Sequence, residues 1–185
     1  TFMNLSAADF TNTNDQFLVR FNVVDGYQTV EPIDVTVTIA GHTGTVDYDG
    51  EERSVSGYDV TYGNALYTSA DFTFNGNATA SGTDVGTYTM GLTASNFANT
   101  NSNFGTVFFN IIDGKMTVNP IAATVTITEH SGTANYDGNE HVVMGYDVAT
   151  SNALYTANDF TFTGDSTVRG TNADTYAMNL VSTNF

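Results

Sequence analysis

The sequence predicts an all-β protein made of tandem repeats of about 88 residues, each an immunoglobulin-like β-sandwich. Three observations carry that reading. The run Tyr48-Asp49-Gly50, followed by Gly57-Tyr58-Asp59-Val60, returns 88 positions later as Tyr136-Asp137-Gly138 and Gly145-Tyr146-Asp147-Val148. About seven short segments per repeat alternate apolar and polar residues, with Thr, Val, Tyr and Phe dominant and turn residues between them. No stretch of any length carries the apolar stripe of an amphipathic helix. A β-grasp-like arrangement, with one short helix drawn from residues 67–72 or 93–103, satisfies the same pattern and stays open as the alternative.

Residues 34–97 align without a gap onto 122–185, and 35 of those 64 positions are identical. Residues 1–33 align onto 89–121 with one residue of slippage, matching Met3 and Leu5 to Met90 and Leu92, Phe10 to Phe97, Phe17 to Phe104, and Asp25-Gly26 to Asp113-Gly114. The expected phasing is the last third of a repeat at 1–33, a complete repeat at 34–121 and the first two thirds of a repeat at 122–185. Two domains, about 1–90 and 91–185, form the alternative phasing. The first residue sits in mid-pattern, which predicts a piece of a longer array.

Within 34–121, Val35-Thr36-Val37-Thr38-Ile39 alternates at period two and reads as a strand with Val35, Val37 and Ile39 on one face. Residues 41–44 read as a turn and 45–48 as a second strand. Asp49-Gly50 reads as a type I′ hairpin, because both central residues of that turn need positive φ, which Asp tolerates and Gly accepts freely. The return strand is expected over 53–60. Phe72-Thr73-Phe74 is a short strand, and Tyr88, Met90 and Leu92 alternate inward in another. Residues 96–103 are a polar connection. Val107, Phe109 and Ile111 mark a long strand, from which Asp113-Gly114 reads as a second hairpin into 115–118. Asn119-Pro120 ends the unit, since Pro lacks the N–H that a ladder requires.

Composition bounds the partners. The chain is 41% hydrophobic with 13 Phe and 10 Tyr, enough apolar surface to fold. Its four basic residues, Arg20, Arg53, Lys115 and Arg169, face 20 acidic ones for a net charge of −16. Nucleic acid is excluded as a partner, because that affinity comes from neutralising phosphates with Lys and Arg. Anionic membrane is disfavoured for the same reason, and no apolar run is long enough to insert. The absence of cysteine removes disulfides and thiolate metal sites, and fits a bacterial surface protein better than a secreted eukaryotic domain.

No catalytic constellation emerges, so the chain is expected not to be an enzyme and to need no cofactor or metal. Asp47, Asp49, Glu51 and Glu52 crowd one turn and could offer oxygens to calcium. Their counterparts Asn135, Asp137, Asn139 and Glu140 carry less charge, and the spacing of a calcium loop is missing, so a solvated acidic turn is expected. His42 and His130 recur and His141 replaces Arg53, but none has a second His or Cys at ligand spacing. Nothing in the spacing joins Asp71 and Asp84 into a catalytic pair, and no Gly-x-Ser-x-Gly elbow is present. Lys115 is the only lysine and Tyr27 stands in its place one copy earlier, which excludes a Lys–Asn cross-link common to all repeats. Tyr58, Tyr62 and Tyr67, with Tyr146, Thr150 and Tyr155 as counterparts, are the best candidates for stacking on sugars. Core positions are the more ordinary reading of Tyr58 and Tyr67.

The Tyr-Asp-Gly turn, the Gly-Tyr-Asp-Val strand, the Gly-Thr-x-x-x-Thr-Tyr lead into a strand and the Asp-Gly-x-x-Thr-Val-x-Pro-Ile ending resemble the YDG and MBG families of bacterial repeats. The resemblance spans the chain. It implies an extracellular, non-catalytic module of a bacterial secreted or cell-wall-attached protein, acting as a stalk, spacer or adhesive array. The expected partners are neighbouring repeats of the same chain, and a glycan or protein if the module binds in its own right.

Overall fold

The computed structural model describes residues 1–185, and the fold is all-β: strand holds 38% of the chain, and what helix there is consists of single 3-10 turns. Residues 33–121 contribute ten strands: β1 Ile33–Gly41, β2 Thr43–Asp47, β3 Arg53–Ser56, β4 Tyr58–Tyr62, β5 Phe72–Phe74, β6 Thr79–Gly82, β7 Gly86–Thr89, β8 Phe97–Asn99, β9 Phe104–Ile112 and β10 Lys115–Asn119. Residues 122–185 contribute β11 Val125–Glu129, β12 His141–Met144, β13 Tyr146–Thr150 and β14 Thr167–Gly170. The expected short helix is a 3-10 turn at Ala94–Asn96, repeated at Ala7–Asp9 and Ser182–Asn184. In each, the backbone N–H before the turn donates to the side chain of its last residue: Ser6 to Asp9, Thr93 to Asn96 and Val181 to Asn184.

The chain divides into two compact units: Thr1–His42, Ser56–Thr79 and Thr89–Lys115 form one, and Thr43–Val55, Ala80–Tyr88 and Met116–Phe185 the other. The first unit holds the sheet β4-β1-β9 and the pair β5-β8. β1 lies at the centre, antiparallel to β4 with Ile39 opposite Val60, and parallel to β9 with Val37 opposite Phe109 and Ile39 opposite Ile111. Its period-two face carries the core. Val35, Val37 and Ile39 are buried with Tyr67, Phe97 and Phe104, and Tyr58, Phe72, Phe74 and Phe109 pack around them. Most of the rings meet edge-on or tilted, as between Tyr67 and Phe104 at 4.8 Å and Phe74 and Phe97 at 4.9 Å, while Tyr67 with Phe72 and Phe97 with Phe109 are stacked.

The second unit holds β2-β10-β7, β3-β6, β11-β13 and β12-β14. Met116 and Val118 alternate inward from β10 and, with Ala80, are its buried apolar residues. β11 pairs with β13 in the register in which β1 pairs with β4: Ile127 lies opposite Val148 as Ile39 lies opposite Val60.

Three local expectations are corrected. Residues 53–60 are two strands, because Gly57 adopts φ +92° and breaks the run; β3 joins β6 while β4 joins β1. Asp49-Gly50 is not a type I′ hairpin, since Gly50 alone has positive φ, at +81°, and β2 and β3 belong to different sheets. Asp113-Gly114 is not a hairpin either, because β9 pairs with β1 whereas β10 pairs between β2 and β7. The Asp113 carboxylate instead accepts the N–H groups of Gly91 and Leu92, both at 3.0 Å. Gly114 lies so close to Gly41 that a Cβ on Gly41 would stand 2.7 Å from the Gly114 Cα.

Candidate functional site

The side chains that recur between copies and also carry polar chemistry form two small constellations. The first is a His–Asp pair. His42 follows β1 directly; its Nδ1 donates to the Ser56 carbonyl at 2.8 Å and its Nε2 faces the Asp59 carboxylate at 3.4 Å. His130 repeats this, with Nδ1 to the Met144 carbonyl at 2.9 Å and Nε2 to Asp147 at 3.2 Å. Gly57 and Gly145, at φ +92° and +91°, turn the chain beneath each ring; a Cβ there would press on the imidazole from 3.1 and 3.2 Å. A carbonyl and a carboxylate both accept, so only the doubly protonated imidazole satisfies both contacts. The Ser56 carbonyl and Asp59 raise the His42 pKa above its ordinary value, and Asp147 and the Met144 carbonyl raise that of His130. Asp59 and Asp147 were not anticipated as partners from sequence, although His and Asp recur together at one fixed spacing in both copies.

The second constellation is the Tyr-Asp-Gly turn. Asp49 accepts the N–H of Glu51 at 3.1 Å and pairs with the Arg53 guanidinium; Asp137 accepts the N–H of Asn139 at 2.9 Å and pairs with His141 Nε2 at 3.0 Å. The exchange of Arg53 for His141 therefore keeps a basic partner four residues after the Asp. Arg53 first, and then the Glu51 amide, hold the Asp49 carboxyl below its usual range; the Asn139 amide does the same for Asp137. Of the remaining acidic candidates, Glu52 accepts the Ser81 hydroxyl at 2.9 Å and Asp47 the Asn119 amide at 3.4 Å. No three His, Asp or Glu side chains converge on a point that would hold a metal ion.

The candidate tyrosines Tyr58, Tyr62 and Tyr67 pack against other aromatic rings. Tyr67 is 1% exposed, with its hydroxyl donating to the Asp71 carbonyl at 3.1 Å, and Tyr155 makes the same bond to Asp159. Tyr58 is half-buried against Phe74 and Phe97, and Tyr62 leans on Tyr67 at 6.3 Å. Asp71 accepts the Thr68 hydroxyl at 2.8 Å and its N–H at 2.7 Å, as well as Asn101 at 2.8 Å, and these donors hold its carboxyl below the usual range. Asp84 offers its backbone carbonyl to the Tyr88 hydroxyl at 2.9 Å, and Asn172 offers the same atom to Tyr176. That shared use of a backbone atom explains why the side chain at this position is free to change. Lys115 lies at the start of β10, its N–H donating to the His42 carbonyl.

Chemically, these groups orient turns and strand junctions. Neither His–Asp pair has a hydroxyl or thiol among its partners to activate. No helix is long and apolar enough to cross a membrane. No curated protein matches the chain, and no solved structure does. The family model described as MBG domain matches residues 35–120, from β1 to the Pro that follows β10, and this segment is similar to that family.

Proposed function

We propose that the chain is a non-catalytic repeat module of a bacterial surface protein, extracellular, acting as a stalk or spacer by end-to-end repetition, with one repeat at 34–121 flanked by parts of two others. The observation that carries this reading is the use made of what recurs: His42 and His130, Asp49 and Asp137, Tyr67 and Tyr155 each satisfy a turn or a core hydrogen bond of their own copy. Selection for a ligand would leave recurring polar groups free; selection for a stackable unit leaves them bonded. The MBG match to 35–120 supports the same class. The acidic surface keeps neighbouring copies apart in solution. Within each repeat we favour the β-grasp-like arrangement over the immunoglobulin-like sandwich, because the central β1 is parallel to β9 and antiparallel to β4 in one sheet. A glycan array probed with the full chain tests the spacer reading. It predicts no saturable binding with sugar in the millimolar range; saturable binding would replace it with a carbohydrate-binding module.

A further inference from the structure

Leu66 and Leu154 hold equivalent places in a loop that recurs unchanged, Asn64-Ala65-Leu66-Tyr67 and Asn152-Ala153-Leu154-Tyr155. The loop is built to aim that leucine outward. The Asn64 side chain accepts the Leu66 N–H at 2.9 Å and the Asn64 carbonyl the Tyr67 N–H at 3.1 Å, while the Tyr67 ring is anchored in the core. Asn152 repeats both bonds, at 2.9 Å to Leu154 and 3.2 Å to Tyr155. The core of the leucine's own repeat does not take it: Leu66 is 74% exposed beside Tyr67 at 1%. An apolar side chain held in one pose by both copies, and unused by its own core, is available to a surface outside its copy.

Leu154 makes such a contact. It lies against Gly50, the glycine of the Tyr-Asp-Gly turn in the preceding copy, so closely that a Cβ on Gly50 would stand 3.2 Å from the Leu154 Cδ2. The two loops meet beside the covalent link, and both belong to the second compact unit. On one side of the link, the Tyr48 N–H donates to the Asn119 carbonyl at 2.9 Å and Asp47 takes the Asn119 amide at 3.4 Å, which ties the turn to the end of β10. On the other, the Thr124 N–H donates to the Ser151 hydroxyl at 2.8 Å and the Thr124 carbonyl accepts the Ser151 N–H at 2.9 Å, immediately before the Asn152 loop. Residues 120–123 therefore run between two clamped ends, and Leu154 on Gly50 closes the ring. We propose that this contact is the joint between consecutive repeats: Leu154 seats on the Gly50 turn and, with the link 120–123, holds the two copies in one orientation. A link of this length left free lets its ends wander over about 10 Å, and a second point of contact removes that freedom. Gly50 then has two reasons to be glycine, its φ of +81° and the space Leu154 needs. On the spacer reading, on which this proposal rests, a stiff joint turns repetition into reach.

Distances between paired spin labels on the full chain test the joint, and the absence of native cysteine leaves the label sites free to choose. Thr45→Cys on β2 and Ala149→Cys on β13, both exposed, span the joint; Thr45→Cys with Thr87→Cys on β7 lies within one repeat and reports that it is folded. The spanning pair should give one narrow distance distribution. Leu154→Asp should widen it toward the spread of a free link, and Leu154→Ala, which removes the side chain without adding charge, should do the same while the pair within the repeat keeps its distance. Leu66→Asp, the same change in the equivalent loop, should leave the spanning pair narrow. A broad distribution in the chain with leucine at 154 would overturn the proposal, as would one that stays narrow in both Leu154 variants or widens equally in Leu66→Asp. Those results would leave a spacer with flexible joints, whereas saturable glycan binding would remove the spacer reading and leave the joint standing.

Discussion

His42 and His130 show how a single side chain can be tuned without being a catalyst. Each imidazole bridges a backbone carbonyl and a carboxylate, and that geometry holds its pKa above 6.5. A group whose folded-state pKa is raised contributes stability that is complete below its unfolded value, near 6.5, and that is lost as pH climbs through the raised folded value. Thermal midpoints measured between pH 6 and 8.5 should therefore fall as pH rises, with only His141 as a further histidine in that window. An Asp59→Asn, Asp147→Asn double variant should flatten the fall, because an amide can accept from the charged ring or donate to the neutral one. A slope unchanged by that substitution would show that the pairs carry no linkage. The recurring histidines were legible in the sequence as turn residues. Their carboxylate partners were not, because nothing local marks a strand residue as facing a ring many positions earlier.

At the level of elements, β1, β5 and β9 could be read from the sequence because apolar residues recur at every second position, and burial follows that period in β1 and β9. Pairing could not. Asp49-Gly50 and Asp113-Gly114 carry strong local turn signals, yet in both places the flanking strands leave for different sheets. The deciding contacts are long-range in sequence: the Asp113 carboxylate on the Gly91 and Leu92 amides, and the close approach of Gly114 to Gly41. The tyrosine cluster was legible as a recurrence, and the core took it because Tyr67 satisfies its hydroxyl on the Asp71 carbonyl without reaching solvent. Gly50 keeps its importance even though the turn type differs. Its φ of +81° lies in the region a β-branched residue avoids, and a side chain there meets Leu154 at 3.2 Å. Gly50→Val should cost about 1–2 kcal/mol in urea unfolding. An unshifted midpoint would mean that the loop relaxes out of the left-handed conformation at no cost.

For the whole molecule, the two copies of the pattern differ in their pairing: β1 has β4 and β9 on its two edges, whereas β11 is paired with β13 on one. Apolar burial follows that difference, complete at Val37 and Ile39 and partial at Val125 and Ile127. The family match at 35–120 covers the copy whose β1 is paired on both edges. Amide hydrogen exchange in dilute, low-salt solution, where the net charge of −16 keeps molecules apart, measures the asymmetry residue by residue. Every amide over 37–40 should be protected, because β1 has a partner on both edges. Over the equivalent 125–128, protection should alternate, with every second amide exchanging at the rate of unstructured chain, since β13 satisfies only one edge of β11. Equal protection of the two segments in every amide would contradict the account.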